Sequence, residues 1–456
     1  MLQVNDALFK AYDIRGVYGR DLDDETAEAA GYAFGRYIGA GKKVVVGLDV
    51  RLSSESLMQS MLKGMSKTGV KIFNVGMVPT PVIYFVIKHF GMDGGAMVTA
   101  SHNPKEWNGF KLFGTGGRVI GLDSGLKDIK DLMSRGNSES SADIEDMEDI
   151  RERAISAYGA FLLGKAHIGK ALRICIDPGN GCYSGMAKDI LSKAGMEVIA
   201  INDMPDGNFP ARAPEPKEES IGRLMSTVAE EGLDFGVAFD SDGDRAIFVD
   251  NKGRFLRGDV AYSVFIDALL GKGEKAVYEV SCSRMVEDAI SKREGVPVLS
   301  RTGRAFILEM MVKESAKIGG EISGHTYFSE IYNADDALYA AMKMAEILSS
   351  GDRKLSKIVD SLPKYYTSAI ELDIEEERKY LVSDIIRETL LREGKKVITV
   401  DGARVETEDG WFLIRPSNTS PKMRLIAESG SSEGLRRVVA QGMEVFDRAR
   451  KDAESR

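Results

Sequence analysis

One local pattern, a strand followed by a loop, a helix and a second strand, occurs three times along this 456-residue chain and then stops. The first copy begins with the short apolar run 43–47, which suits a parallel strand buried on both faces. Ser53 or Ser54 can cap the helix that carries Leu57, Met61, Leu62 and Met65, Gly69 stops it, and residues 70–75 form the next strand. The second copy runs from strand 173–177 through Pro178-Gly179-Asn180-Gly181 and a helix around 186–193 to strand 196–199. The third joins strand 276–280, a helix near 284–292 and strand 296–298. Three copies predict three related α/β domains with mixed or parallel sheets. The tail differs. Residues 396–405 read as a hairpin turning at Asp401-Gly402, residues 411–415 and 422–428 as strands, and residues 432–448 as a closing helix. That is a smaller α+β domain. At about 100–200 residues per domain, the length allows roughly three to four.

Polar stretches at 134–149, about 251–254 and 363–367 mark the boundaries, giving expected domains 1–150, 151–253, 254–366 and 367–456. With 61 Lys and Arg against 70 Asp and Glu, the net charge of −9 argues against nucleic acid as the partner. It leaves room for local Arg clusters that bind anions. Three Cys exclude a disulfide framework and point to a reducing compartment. Nothing near Cys175, Cys182 or Cys282 supplies further metal ligands, so they read as packing residues. Only four His are present, at 89, 102, 167 and 325, so a multi-His metal site would use most of them. The N-terminus shows no basic region leading into an apolar run. The longest apolar stretch, near 78–87, is broken by Pro79 and Pro81 and is too short to span a bilayer. The expectation is a soluble cytoplasmic protein with no membrane partner.

Four segments carry chemistry. Thr99-Ala100-Ser101-His102-Asn103-Pro104 follows a Gly-rich apolar approach, at a strand end where an open α/β sheet presents its site. Ser101 beside His102 suits a nucleophile with a base or a phosphate-holding neighbour, against the plainer reading of a surface turn. No Gly-x-Ser-x-Gly elbow surrounds Ser101, which disfavours an α/β-hydrolase. Asp240-Ser241-Asp242-Gly243-Asp244-Arg245 places three carboxylates at alternate positions, an oxygen set for Mg²⁺ or Ca²⁺. An EF-hand loop fails here, because Arg245 stands where it needs Gly and Asn251 where it needs Glu. In Glu321-Ile322-Ser323-Gly324-His325, on an extended segment, Glu321, Ser323 and His325 would face one side and could bind vicinal sugar hydroxyls; a polar edge strand or loop is the alternative. In Arg415-Pro416-Ser417-Asn418-Thr419-Ser420, an Arg fork followed by hydroxyl, amide and backbone donors makes a phosphate cradle. The Gly271-x-Gly273-x-x-Ala276 string precedes a strand instead of following one, and no Walker A sequence exists.

Together, in this order, these segments resemble the α-D-phosphohexomutase family, and within it the bacterial and archaeal phosphomannomutase/phosphoglucomutase group. The resemblance extends to Phe9-Lys10-Ala11-Tyr12-Asp13-Ile14-Arg15-Gly16-Val17, Gly76-Met77-Val78-Pro79-Thr80-Pro81 and Asp206-Gly207-Asn208-Phe209-Pro210, and covers essentially the whole chain. It implies three similar α/β domains and a smaller α+β domain around a central cleft. It also implies a phosphohexomutase that interconverts hexose 1-phosphate and 6-phosphate through a phosphoserine enzyme and a hexose 1,6-bisphosphate, with one Mg²⁺ per chain. By the same resemblance, Ser101 carries the phosphoryl group, and Asp240, Asp242 and Asp244 bind Mg²⁺ with it. Arg15, His102, Lys111 and Arg245 surround the moving phosphoryl group, with Tyr12 nearby. Glu321, Ser323 and His325 grip sugar hydroxyls, and Arg415, Ser417, Asn418 and Thr419 hold the distal phosphate.

Two positions depart from the family. Arg301-Thr302-Gly303-Arg304 stands where Lys-Thr-Gly-His is common, which leaves a substrate contact for Arg301 as an expectation. The general acid or base lies among His102, His325, Lys111 and Arg15. Ile322, Asn418 and Ser420 differ from the usual phosphoglucosamine mutase residues, so mannose and glucose phosphates are the expected substrates, with glucosamine phosphate the alternative on the same scaffold. A non-catalytic sugar-phosphate binder and a metal-dependent phosphatase are the readings from other classes. No residue pattern selects between monomer and homo-oligomer.

Overall fold

The computed structural model describes residues 5–135, 147–417 and 422–455. The chain forms two compact units, one of Met1–Arg257 with His325–Lys357, the other of Gly258–Gly324 with Ile358–Arg456.

The first unit contains two sheets. In one, the strands Gly94–Val98, Lys43–Leu48, Lys71–Met77 and Met147–Asp149 lie side by side and parallel. Trp107–Phe113 then turns back antiparallel on Gly94–Val98, and Ile14–Val17 pairs with it at the edge. The helices Asp24–Ile38 and Ser54–Ser66 press together beside this sheet. Their approach depends on glycine: a Cβ on Gly31 would lie 2.0 Å from the Met61 carbonyl oxygen, and one on Gly64 2.0 Å from that of Glu28. In the second sheet, Arg173–Asp177 runs parallel to both Glu197–Ala200 and Phe235–Phe239. Ala246–Asp250 and Phe255–Leu256 complete it antiparallel. The short hairpin Thr326–Phe328 with Ala334–Asp335 and the helix Ala337–Ser349 also belong to this unit.

The second unit holds the third parallel set, Val296–Ser300, Lys275–Glu279 and Ile318–Gly320. It also holds a five-stranded sheet, antiparallel throughout, in the order Tyr366–Asp373, Lys422–Ser429, Gly410–Pro416, Ala403–Thr407, Val397–Ile398. Met423, Leu425 and Ala427 alternate along one strand and are fully buried in a core shared with residues of the helices Lys379–Arg392 and Ser432–Glu454. On the same sheet, Trp411 and Leu413 pack on Val280. The buried Arg404 guanidinium lies 3.9 Å above the Trp411 ring and donates to the Val280 carbonyl at 3.0 Å.

The three strand–helix–strand units form where the apolar pattern places them. Three readings are corrected. The 396–405 hairpin exists, but Ile398 pairs with Arg404, so its connection is wider than a two-residue Asp-Gly turn. The Asp401 side chain in it accepts from Thr302 N–H at 3.2 Å. The closing helix continues to Glu454, capped by Ser431 Oγ accepting from Gly434 N–H at 3.0 Å, because Ala449 and Ala453 still find core to bury in. Ser53 holds the N-cap position of its helix without a side-chain bond, while Ser54 Oγ donates to Asp49 at 2.5 Å. Of the expected polar linkers, 134–149 falls partly outside the described residues, and its last three residues, Met147–Asp149, add an edge strand. Residues 251–254 form the turn of a hairpin whose second strand, Phe255–Leu256, stays in the second sheet. All three Cys are free and buried. Among the described residues, no helix is long and apolar enough to cross a membrane.

A buried polar knot ties the first unit together. Asp336 accepts from Tyr158 Oη at 2.7 Å, Tyr183 Oη at 3.0 Å and Tyr339 N–H at 2.9 Å. Burial pushes its carboxyl up to about 6, and these three donors only partly offset that rise. An acid held above its unfolded value binds its proton more tightly when folded, so its contribution to stability falls as pH rises from about 4 to 6. In Asp336→Asn the falling component is expected to vanish. Thermal unfolding across pH 4–7 should show the variant gaining on the parent by up to roughly 3 kcal/mol as pH rises; a constant difference would contradict this.

Candidate functional site

The loop after strand Gly94–Val98 carries Ser101, which is nearly fully buried and holds a positive φ of 49°. That conformation is uncommon for a residue with a Cβ and persists only where the surroundings enforce it. The enforcing group is Arg51. Its buried guanidinium donates to the carbonyls of Ser101 (2.5 Å), Asn103 (2.6 Å), Pro104 (2.6 Å) and Trp107 (3.0 Å), and through Nε to Asp49 (3.0 Å). Asp49 also accepts from Thr99 Oγ1 at 2.7 Å, and that same Oγ1 accepts the Ser101 N–H at 2.9 Å. Ser241 Oγ donates to the Ser101 carbonyl at 2.6 Å. With its backbone fixed, Ser101 directs Oγ at Asp240, 3.1 Å from Oδ2.

Asp240, Asp242 and Asp244 occupy the turn between Phe235–Phe239 and Ala246–Asp250 and are all but inaccessible. Asp240 Oδ1 accepts the N–H groups of Gly243 and Arg245, each at 3.1 Å. Gly243 is required twice: its φ is 76°, and a Cβ there would lie 2.5 Å from the Tyr183 ring. Lys111, from the strand Trp107–Phe113, bridges Asp242 (2.7 Å) and Asp244 (2.6 Å), and Thr80 Oγ1 donates to Asp242 at 2.7 Å. Burial and the charges of Asp244 and Asp242 push the Asp240 carboxyl well up. Burial and Asp244 also act against Asp242, yet Lys111 and Thr80 bring it below the ordinary carboxylate range. One oxygen of Asp242, Oδ1, is buried without a hydrogen-bond partner among the described residues. One oxygen from each carboxylate falls within 4.8 Å of the others. Three such oxygens with the Ser101 hydroxyl alongside fit a hard divalent cation.

The remaining groups of this unit converge on the same place. Arg15 pairs with Asp13 and donates to Asn103 Oδ1 at 2.5 Å, and its buried Nε has no hydrogen-bond partner among the described residues. Tyr12 lies in the bend just before the Arg15 strand. His102 Nδ1 stands 3.4 Å from Ser101 Oγ, and burial with the cations Arg245 and Arg15 holds the ring well below the usual histidine range. Arg245 Nε donates to His325 Nε2 at 2.9 Å, so the proton of the neutral ring sits on Nδ1, 2.8 Å from Asp335 Oδ2. His89 stacks on Phe85 and His167 is exposed, both away from these motifs.

The second unit carries the other predicted residues. Residues 321–324 do not extend, which corrects the alternating arrangement: Gly324 N–H closes a turn on the Glu321 carbonyl at 3.2 Å, with Gly324 at φ 96°. Ser323 Oγ lies 3.4 Å from Glu321 Oε2, while His325 belongs to the first unit's network. Arg415 Nη1 lies 3.3 Å from Asp401 Oδ2, and its buried Nε has no hydrogen-bond partner among the described residues. Ser417 N–H donates to the Lys422 carbonyl at 2.8 Å, and Lys379 Nζ to the Ser417 carbonyl at 3.0 Å. Asn418 and Thr419 lie outside the described residues. Arg301 stacks over Phe306 at 4.0 Å, and Arg304 is buried in the first turn of Arg304–Glu314. Arg51, Asp335 and Glu279 carried no motif. A charged pair such as Asp49-x-Arg51 directly after an apolar strand was the one available signal for the first.

Four family models match in succession. "Phosphoglucomutase/phosphomannomutase, alpha/beta/alpha domain I" covers residues 6–140, domain II 155–253, domain III 257–366, and the C-terminal domain 370–445. A phosphoglucomutase/phosphomannomutase of Thermococcus kodakarensis is 34% identical over 457 residues, spanning 97% of this chain and 99% of that protein. A phosphomannomutase of Escherichia coli is 34% identical over 434 residues, spanning 92% and 94%. A solved structure of a phosphoglucomutase/phosphomannomutase family protein from Burkholderia thailandensis superposes with a TM-score of 0.87 at 31% identity, covering 99% of this chain and 98% of that one. An Aspergillus fumigatus N-acetylphosphoglucosamine mutase in complex with glucose 1,6-bisphosphate shares the fold, with a TM-score of 0.58 at 13% identity over 99% of this chain and 96% of that one.

Arg51→Lys retains the charge but cannot reach four carbonyls and a carboxylate at once. The variant is expected to lose about 3 kcal/mol of stability, measured by urea unfolding. A loss below about 1 kcal/mol would mean that the loop finds other donors.

Proposed function

The chain belongs to the phosphoglucomutase/phosphomannomutase family, and from that premise we propose that it interconverts the 1- and 6-phosphates of mannose and glucose through a phosphorylated Ser101. The observation that carries this reading is the Ser101 hydroxyl, held at positive φ and 3.1 Å from Asp240 within a ring of buried carboxylates and cations. Phosphoryl transfer is catalysed mainly by positioning and charge neutralisation, and that is what this ring provides.

In the proposed reaction, a free hydroxyl of the bound hexose phosphate attacks the phosphorus on Ser101. The Ser101 Oγ–P bond breaks as the sugar O–P bond forms, giving a hexose 1,6-bisphosphate. After reorientation, the second phosphate returns to Ser101. Arg15, Lys111 and Arg245 offset the phosphoryl charge. The proton lost by the attacking hydroxyl and gained by the departing Ser101 Oγ is relayed by a general acid or base, for which His102, held neutral 3.4 Å from Oγ, is placed; His325, whose tautomer Asp335 and Arg245 set, is the other histidine of the site. Asp240, Asp242, Asp244 and Ser101 would hold one Mg²⁺, which supplies Lewis-acid neutralisation of the phosphoryl oxygens. Glu321 and Ser323 bind sugar hydroxyls. Arg415 and Ser417, with Asn418 and Thr419, bind the distal phosphate, and Arg301 and Tyr12 border the substrate. These parts are distributed over domains 1–150, 151–253, 254–366 and 367–456.

Ser101→Ala is expected to abolish mutase turnover while sugar-phosphate binding, followed calorimetrically, persists; unchanged turnover would remove the phosphoserine. Mannose, glucose and glucosamine 1-phosphates assayed side by side test the substrate, and exclusive use of glucosamine would overturn the choice. Mg²⁺ at 100 times its Kd should stabilise the parent by about 2.7 kcal/mol in thermal unfolding and leave Asp242→Ala unmoved.

A further inference from the structure

Glu279 ends the strand Lys275–Glu279, next to Ile318–Gly320 in parallel register, with Tyr278 opposite Gly320. The residues that follow this last pair, Glu279 and Glu321, are both buried. Glu279 Oε1 accepts the Ile322 N–H at 2.9 Å, the peptide that follows Glu321. Its Oε2 is buried, with no well-aligned hydrogen bond among the described residues. The other support of the turn is Gly258, where a Cβ would lie 2.5 Å from the Ile322 carbonyl oxygen and 2.6 Å from Gly324 N. The turn is therefore seated on bare backbone at one side and on one carboxyl group at the other.

We propose that Glu279 is the positioning residue for the Glu321–Ser323 turn, and that by holding Ile322 N–H it sets the affinity for the sugar; this rests on the reading of that turn as the sugar-binding element. The groups that face Glu279 are Glu321 from the neighbouring turn, Thr302, Arg415 from the C-terminal sheet, and Cys282 on its own loop. Burial and the Glu321 charge push its carboxyl up to about 7, while Thr302, Arg415 and Ile322 N–H oppose the rise. Below that value Glu279 is neutral and adds no charge beside the Glu321–Ser323 turn. Above it, Glu279 places a buried negative charge next to Glu321 and the turn shifts, so affinity falls as pH rises.

The test compares the full-length parent, Glu279→Gln and Glu279→Ala. Mannose 1-phosphate binding is measured by calorimetry at pH 6.5 and 8.5, together with hydrogen exchange at the Ile322 amide. The Gln variant keeps the acceptor and cannot titrate. The parent should lose about tenfold more affinity than the Gln variant between the two pH values, with the ionisation of the substrate's phosphate common to both. The Ala variant should lose Ile322 protection. Parallel pH profiles in parent and Gln variant, or retained Ile322 protection in the Ala variant, would overturn the proposal. The Gln comparison stands even if the Ala variant does not fold. Parent protein that turns over hexose phosphate with parallel profiles would refute this inference alone. Parent protein that neither binds nor converts hexose phosphates would refute the functional reading and the role of Glu279 in affinity with it.

Discussion

Three carboxylates buried in one hairpin turn set the electrostatic terms for the whole first unit. Asp240, Asp242 and Asp244 are each about 1% exposed or less, and such a cluster cannot remain ionised without compensation close by. Lys111 reaches Asp242 and Asp244 from a different sheet, and Thr80 and Ser101 supply hydroxyls from two further segments. The same contacts that neutralise the turn also join the sheet of residues 14–149 to the sheet of residues 173–256. Local charge balance and domain docking are here one interaction. The residual imbalance, with Asp240 pushed well up and one Asp242 oxygen without a hydrogen-bond partner among the described residues, is what suits the turn to a cation.

Arg51 plays the corresponding part for the backbone. A serine at φ 49° is held there by carbonyls that all point at one guanidinium. Only a planar group with five N–H donors can satisfy that many acceptors without movement. The strain at Ser101 and the burial of Arg51 are two sides of the same arrangement. Asp336 performs a similar task for a neighbour of the carboxylate turn. It fixes Tyr183, whose ring packs directly on Gly243.

Much of the site was legible because its chemistry is written in contiguous strings. Ser101 with His102, and Asp240 with Asp242 and Asp244, fall at strand ends where short polar residues follow apolar runs, and the structure places both there. The reading faltered where it depended on backbone direction. Glu321, Ser323 and His325 alternate in sequence, but Gly324 at φ 96° turns the chain between them, so their shared face does not form. Arg51 offered only the Asp49-x-Arg51 pair as a signal, and Asp335 and Glu279 were invisible because one acts through the His325 ring and the other through a peptide group. Neither relation leaves a pattern along the chain.

The sequence by itself determined the three parallel α/β units, the antiparallel tail and the polar loops that end the apolar strands. Apolar periodicity and strand-end polarity are local properties that do not require a partner. Tertiary structure alone decided which polar and charged groups meet. Lys111 meets Asp242 across 131 residues, Ser101 meets Asp240 across 139, and Arg245 meets His325 across 80. A charge buried in the folded chain is stable only beside its counterpart, and which counterpart arrives is set by how the sheets dock.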